Sequence, residues 1–443
     1  MGTKHLYRVA LFSVVLYAFA FSVFNIITMG SVYDVITVYQ LIILSVSFWA
    51  VIVMNEIHIK YAFILIFLYQ VTFVYLLYTV YILHYGNPFG YNPVDAVLYH
   101  TIAVELRNLS FANSIRHLLT NVSVGDLGFT IYLQAIYKLP LSNPIATTKF
   151  INIVFHLFSC VYVYRLSYLI FNNIKISEVS LIIYGLNPIS VYFNSLGLKE
   201  PLFALIVIMA FYYLYKSNKN INLIYYIVGI ILALLTGLFR VAFSIFIIIG
   251  FAYYWFINIK GKYKLHKRFA LAITGVILII VAFALVKDEL TGKLQYDFIA
   301  IATHRIGTLP SLPHYVILSI SGLIGPFPSL NNLISSDFNR LESIGNLYKI
   351  ILSYYFVAAT YLLYKRKNNS VYPIYITYFL NALVLIILAA TLDHRFIYPL
   401  VSIYFIIIAY GICEYRPRLI PGIISMPVYY IFITIILIAY NLR

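Results

Sequence analysis

Cysteine is nearly absent: the 443 residues hold two, Cys160 and Cys413, both inside apolar runs. That leaves neither a disulfide framework nor a cysteine-based metal site. Charge is scarce as well. Asp, Glu, Lys and Arg make up 10% of the chain, against about 25% in soluble domains. Ten-residue segments of alternating polarity are missing, which excludes a transmembrane barrel. No small-residue cleavage site follows the first apolar run, so it is read as a span and not as a removable leader.

What the chain has in place of charge is apolar length. It is 63% hydrophobic, and many runs approach or exceed the roughly 18 residues that cross a bilayer. The fold expected is an all-α polytopic membrane protein of about thirteen transmembrane helices, with amphipathic juxtamembrane helices in two outer loops. Expected spans cover 7–29, 36–54, 61–84, 146–171, 176–195 and 200–215. Two more occupy 221–259, turning near Gly237, and the rest cover 269–286, 346–364, 371–392, 395–413 and 420–440. The segments are therefore a three-helix membrane segment (1–84), an outer loop (85–149), central membrane helices (150–286), a second outer loop (287–345) and C-terminal membrane helices (346–443).

The net charge of +16 raises nucleic acid as a partner. The basic residues, however, sit mostly in short loops between spans, where they set orientation. With a cytosolic N-terminus, the cluster at 260–268 and Lys365-Arg366-Lys367 fall inside and both long loops fall outside. An Ile-, Tyr-, Phe- and Asn-rich composition points to an AT-rich genome and a bacterial inner membrane. No internal repeat of the transporter kind is visible.

Polar chemistry gathers in the outer loops and at the outer ends of spans. Asn92-Pro93-Val94-Asp95 reads as a helix start, and Val94, Val97, Leu98, Ile102 and Leu106 gather on one side of the helix that follows. Asp95 and Tyr99, four apart, share a face. Asp126, within Gly125-Asp126-Leu127-Gly128, opens the next apolar helix. Each Asp either stabilises its helix start or serves as an acceptor-orienting carboxylate. Lys199 precedes Glu200 at the start of a span, where the positive helix end calls for an anion. Glu200 is one candidate partner and an anionic ligand the other. Arg240 stands alone in a long apolar stretch, a costly placement unless it snorkels or functions. His304-Arg305 lies in the second loop, and Asp393-His394-Arg395 at the outer start of a late span. Lys199, Arg240, Arg305 and Arg395 thus share one expected depth, opposite Asp95 and Asp126.

With those residues in view, the chain resembles the GT-C-type polyprenyl-phosphate-dependent membrane glycosyltransferases. Among these it is most similar to the O-antigen and capsule repeat-unit polymerases (Wzy-type). The matching stretches are NPVDAVLYHTIAVEL, GDLGFTIYLQAIYKL, NPISVYFNSLGLKEPLFALIV, RIGTLPSLP with GPFPSL, and DHRFIYPL. Three spans precede the polar loop here, where many GT-C enzymes have one.

The resemblance implies a polymerase that joins undecaprenyl-diphosphate-linked oligosaccharide units on the outer face of the membrane. Asp95, or else Asp126, would orient or deprotonate the acceptor hydroxyl. Lys199, Arg240, Arg305 and Arg395 would hold the donor diphosphate, with Tyr99, Glu200, His304 and His394 in support. No metal is required, since the cations supply the positive charge; a divalent metal bridging Asp95 and the diphosphate is the alternative. Partners would be the undecaprenyl-linked oligosaccharide, membrane lipid and a chain-length regulator, and no nucleic acid. Three rivals stand beside this reading. One is a GT-C enzyme adding a single sugar from a polyprenyl-phosphate donor. Another is a lipid-linked oligosaccharide flippase or transporter, which would carry its charges at mid-membrane. The third is an acyltransferase using His156, a residue that reads more simply as a packed core histidine.

Overall fold

The computed structural model describes residues 59–90, 94–121, 124–139, 143–220, 222–258, 319–328, 340–387, 394–415 and 425–441. All regular structure among them is helical. The expected spans at 7–29, 36–54 and 269–286 lie outside the described residues.

Five described helices are long and apolar enough to cross a membrane. They are α1 (Lys60–Tyr85), α5 (Pro144–Phe171), α8 (Glu200–Asn220), α11 (Arg340–Lys365) and α12 (Tyr372–Ile387, entered through a 3-10 turn at Asn369–Val371). A sixth is the bent pair α6 (Ile174–Gly185) and α7 (Pro188–Leu196), which meet at 46°. Shorter apolar helices are α9 (Leu223–Leu235), α10 (Val241–Asn258), α13 (Tyr398–Glu414) and α14 (Met426–Asn441). Of the thirteen expected spans, three thus lie outside the described residues, six correspond to the five long helices and the bent pair, and four are apolar helices shorter than the same length test requires. Between α1 and α5 lie α2 (Val94–Leu106), α3 (Phe111–Asn121) and α4 (Val124–Lys138).

Local sequence explains the breaks. Gly86 takes a left-handed φ of 66° and ends α1, a conformation a side chain would strain. Asn173 caps α6 by accepting from Lys175 N at 2.9 Å, and Asn222 caps α9 by accepting from Ile224 N at 2.9 Å. Pro188 lacks an N–H and disfavours a helical residue before it. Asn187 fills the gap, its Oδ1 accepting from Ile189 N at 3.3 Å.

The chain divides into two compact units. The first runs to Ile115 and adds Thr130–Leu157 and Ser190–Leu198. Its interior is sewn by polar groups. Gln70 donates to Ser190 Oγ at 2.6 Å and accepts from Asn194 at 2.8 Å. Lys149, fully buried, donates to Pro88 O at 2.7 Å and also to Ser195 O. Helix α2 packs on the protein through a face other than the one carrying Val94, Val97 and Leu98. Val94, Val97 and Leu98 are exposed, whereas Ala96, Tyr99, His100, Ala103 and Leu106 are buried. Small alanines allow the close approach that the branched residues would block.

The second unit comprises Arg116–Phe129, Phe158–Ile189 and the chain from Lys199 onward. Its axis is α13, buried at every residue from Tyr398 to Gly411 and packed against α6, α8, α11 and α12. A Cβ at Gly411 would overlap the Tyr355 carbonyl of α11, so glycine permits that helix contact.

In the first unit, His100 accepts or donates at Nδ1 to the Tyr137 hydroxyl, 2.6 Å away. Burial, and then the Lys149 ammonium, holds its pKa at about 3, below the usual ~6.5. The folded state thus binds fewer protons than the unfolded one. Its stabilising effect is complete above about pH 6.5 and is lost as pH falls toward 3, by up to about 1.4 kcal/mol per pH unit. Thermal melts in detergent should show that decline in the wild type and a flatter one in His100→Gln. Parallel curves would sink the assignment.

Candidate active site

Five charged side chains meet in the second unit, drawn from four places in the chain. Asp126 stands in the first turn of α4. Lys199 and Glu200 stand at the start of α8, where Phe203 N donates to Lys199 O at 3.0 Å. Arg240 follows the 3-10 turn Thr236–Leu238, its N–H donating to Thr236 O at 2.9 Å. Arg395 lies in the 3-10 turn His394–Phe396 that precedes α13.

Packing brings these ends together. Gly128 lets α4 lie against the turn at 236–239: an added Cβ would sit 2.9 Å from Phe239 Cε2 and 3.1 Å from Leu238 Cβ. Phe239 stacks on Phe203 of α8, with centroids 5.5 Å apart and planes 8° from parallel. The Arg240 guanidinium lies 4.0 Å from the centre of the Phe396 ring, a cation–π contact.

The charges sort into two groups. Lys199 donates to Asp126 Oδ1, to Gly125 O at 3.0 Å and to Phe239 O at 3.3 Å. An ammonium has three donors, so these three acceptors saturate it. Burial pulls the Lys199 pKa down, and Asp126 followed by Glu200 opposes that. Glu200 is fully buried and takes both arginines on one oxygen. Arg395 Nε lies 3.2 Å and Arg240 Nη2 3.6 Å from its Oε1. Asp126 and Arg395 are each 26% exposed at the side chain, so one acid and one base of the cluster remain reachable.

The sequence left Glu200 or an anionic ligand as the partner of Lys199, and the structure turns Glu200 to the arginines instead. Asp126 fills that role, because adjacent residues at a helix start do not face each other. In this structure the three donors of Lys199 go to Asp126, Gly125 O and Phe239 O. Asp95, half-buried, and Tyr99, buried, belong to the first unit on α2. His304 and Arg305 lie outside the described residues, and His394 opens the 394–396 turn. Sequence reasoning missed the carbonyls of Gly125 and Phe239, which no side chain announces. It also missed Phe396, although that residue sits inside the DHRFIYPL stretch. Among the described residues, no group of three or more His, Cys, Asp or Glu gathers as a metal site.

Apolar helices long enough to cross a membrane thus frame a buried ion cluster whose most exposed members are Asp126 and Arg395. A family model described as Mannosyltransferase (PIG-V) matches residues 126–298, less than half of the chain. The match begins at Asp126 and includes Lys199, Glu200 and Arg240. The chain is thus a glycosyltransferase and a multi-pass membrane protein. No curated protein and no solved structure matches it significantly.

Glu200→Gln should leave two buried arginines beside a neutral group. Breaking a buried pair costs about 3–5 kcal/mol, and the partial exposure of Arg395 reduces this to roughly 1–3 kcal/mol. The double variant Glu200→Gln/Arg395→Gln should recover part of the loss, because less bare charge remains. Unchanged melting of Glu200→Gln would show that the contact contributes nothing.

Proposed function

We propose that the chain transfers a single sugar, of the mannose type, from a polyprenyl-phosphate donor to a lipid-linked acceptor. The observation that carries this reading is the arginine pair sharing one oxygen of Glu200. Within the described cluster, Lys199 is neutralised by Asp126, and Arg240 and Arg395 face one carboxylate. One positive charge is left over. A sugar phosphodiester carries one negative charge and a diphosphate diester carries two, so the charge balance favours the monophosphate donor. The family match points the same way: it supports single-sugar addition better than repeat-unit polymerisation.

In this mechanism the acceptor hydroxyl attacks the anomeric carbon, and the bond from that carbon to the phosphate oxygen breaks. The leaving polyprenyl phosphate gains a second negative charge. Arg240 and Arg395 stabilise that charge as it develops, in a setting where fixed positive groups act strongly. Asp126 orients the acceptor hydroxyl and receives its proton late, once the new bond has made that proton acidic. The location of this chemistry on the outer face of a bacterial inner membrane rests on the distribution of basic loops.

The decisive assay offers membranes a polyprenyl-phosphate sugar and, separately, an undecaprenyl-diphosphate oligosaccharide. One added sugar from the first donor is expected, with no ladder from the second. Asp126→Asn should reduce transfer by about 10²–10⁴-fold at equal expression. Arg395→Lys should also impair it, because the charge stays but the planar fork is lost. A ladder of repeat units from the diphosphate donor would overturn the single-sugar reading. Full activity of Asp126→Asn with loss in Asp95→Asn would move the acceptor role to Asp95.

A further inference from the structure

The two arginines at Glu200 are held in different ways. Arg395 Nε hydrogen-bonds to Glu200 Oε1 at 3.2 Å, whereas Arg240 Nη2 stands off at 3.6 Å, beyond hydrogen-bond range. The backbone of Arg240 is fixed by its N–H bond to Thr236 O at 2.9 Å and by the stacking of Phe239 on Phe203. That leaves the head of a long, rotatable side chain to be placed by something else.

Phe396 supplies the contact. The guanidinium carbon of Arg240 lies 4.0 Å from the centre of its ring, well inside the ~6 Å over which a ring attracts a cation. At so short a distance the carbon lies over the ring face, because an edge-on approach would be stopped further out by the ring's own atoms. Phe396 is anchored in turn, its carbonyl accepting from the buried Asn381 Nδ2 of α12 at 3.4 Å.

The electrostatics call for such a contact. One carboxylate cancels one of two positive charges, and the two guanidinium groups repel each other. The negative face of the ring opposes that repulsion at Arg240. It also takes up none of the N–H donors of the guanidinium.

We infer that Phe396 is a positioning residue for the transfer reaction: its ring face holds the Arg240 head where charge develops on the leaving phosphate. The inference rests on the single-sugar transfer reading, in which Arg240 stabilises that charge.

Steady-state transfer by the full chain in membranes, from a polyprenyl-phosphate sugar, tests this with kcat expressed per folded molecule. Phe396→Leu keeps an apolar side chain and loses the ring face. It should lower kcat about three- to thirtyfold with a smaller change in donor KM, because the affected charge grows in the transition state. Phe396→Tyr keeps the face and should retain most of the rate. Arg240→Met should also lower kcat, and adding Phe396→Leu to it should cost nothing more. A residue that only packs would reduce the amount of folded protein and leave kcat per folded molecule unchanged. Should Phe396→Leu fail to fold, Phe396→Met takes its place under the same criteria. Wild-type kcat in the ring-less variant, or an equal loss from it with and without Arg240, would overturn the inference and leave the transfer reading intact. Wild-type kcat in Arg240→Met, or no transfer by the wild type, would overturn that reading and the inference with it.

Discussion

The second unit depends on one constraint: a charge removed from water must find an opposite charge or a full set of hydrogen bonds. Glu200 meets it for two arginines at once. Its carboxylate is fully buried and receives Arg240 from the turn before α10 and Arg395 from the turn before α13. Neither arginine could remain in an apolar setting alone, and the buried carboxylate needs their hydrogen bonds in turn. The three groups therefore tie α8 to two turns that are far away in sequence. The same tie leaves Arg395 part-exposed and held in place, and in the proposed reaction a fixed donor of this kind would stabilise developing charge.

The buried lysines show the second way to satisfy the constraint. Lys199 has a carboxylate, but Lys149 and Lys349 are held by backbone carbonyls and ring faces. Lys149 lies 5.3 Å from the Tyr78 ring centre and 5.4 Å from that of Phe89, and Lys349 lies over Tyr404. A chain with 44 Tyr and 33 Phe residues has many such faces available. The carbonyls used, at Pro88, Ser195 and Gly325, all lie where a helix is interrupted or has ended. Interrupted helices free acceptors, and the lysines take them.

α13 shows how packing frames the chemistry. It is buried along nearly its whole length and touches four other helices, so its N-terminal turn is fixed from several sides. That turn carries Arg395, Phe396 and Tyr398. Glycine at 411 allows the approach of α11, and glycine at 128 the approach of α4 to the turn at 236–239. Both are close contacts that a single methyl group would obstruct.

Much of this was legible in the sequence, because membrane insertion is a property of single segments. The apolar runs marked α1 and α5 to within two residues and α8 and α11 to within six, and Pro188 breaks the α6–α7 span by its own chemistry. Asp126, Lys199, Glu200, Arg240 and Arg395 were recognisable one by one, since each polar residue beside an apolar run requires an explanation. What the tertiary structure decided is who meets whom. Glu200 pairs with the arginines and not with its neighbour Lys199, and the donors of Lys199 are taken by Asp126 and two backbone carbonyls. The buried face of α2 is its alanine face, and among the described residues Lys349 is held by a carbonyl and a ring and not by an acid. Pairing depends on distances between segments separated by as many as 195 residues, and hydropathy along one segment carries no information about those distances.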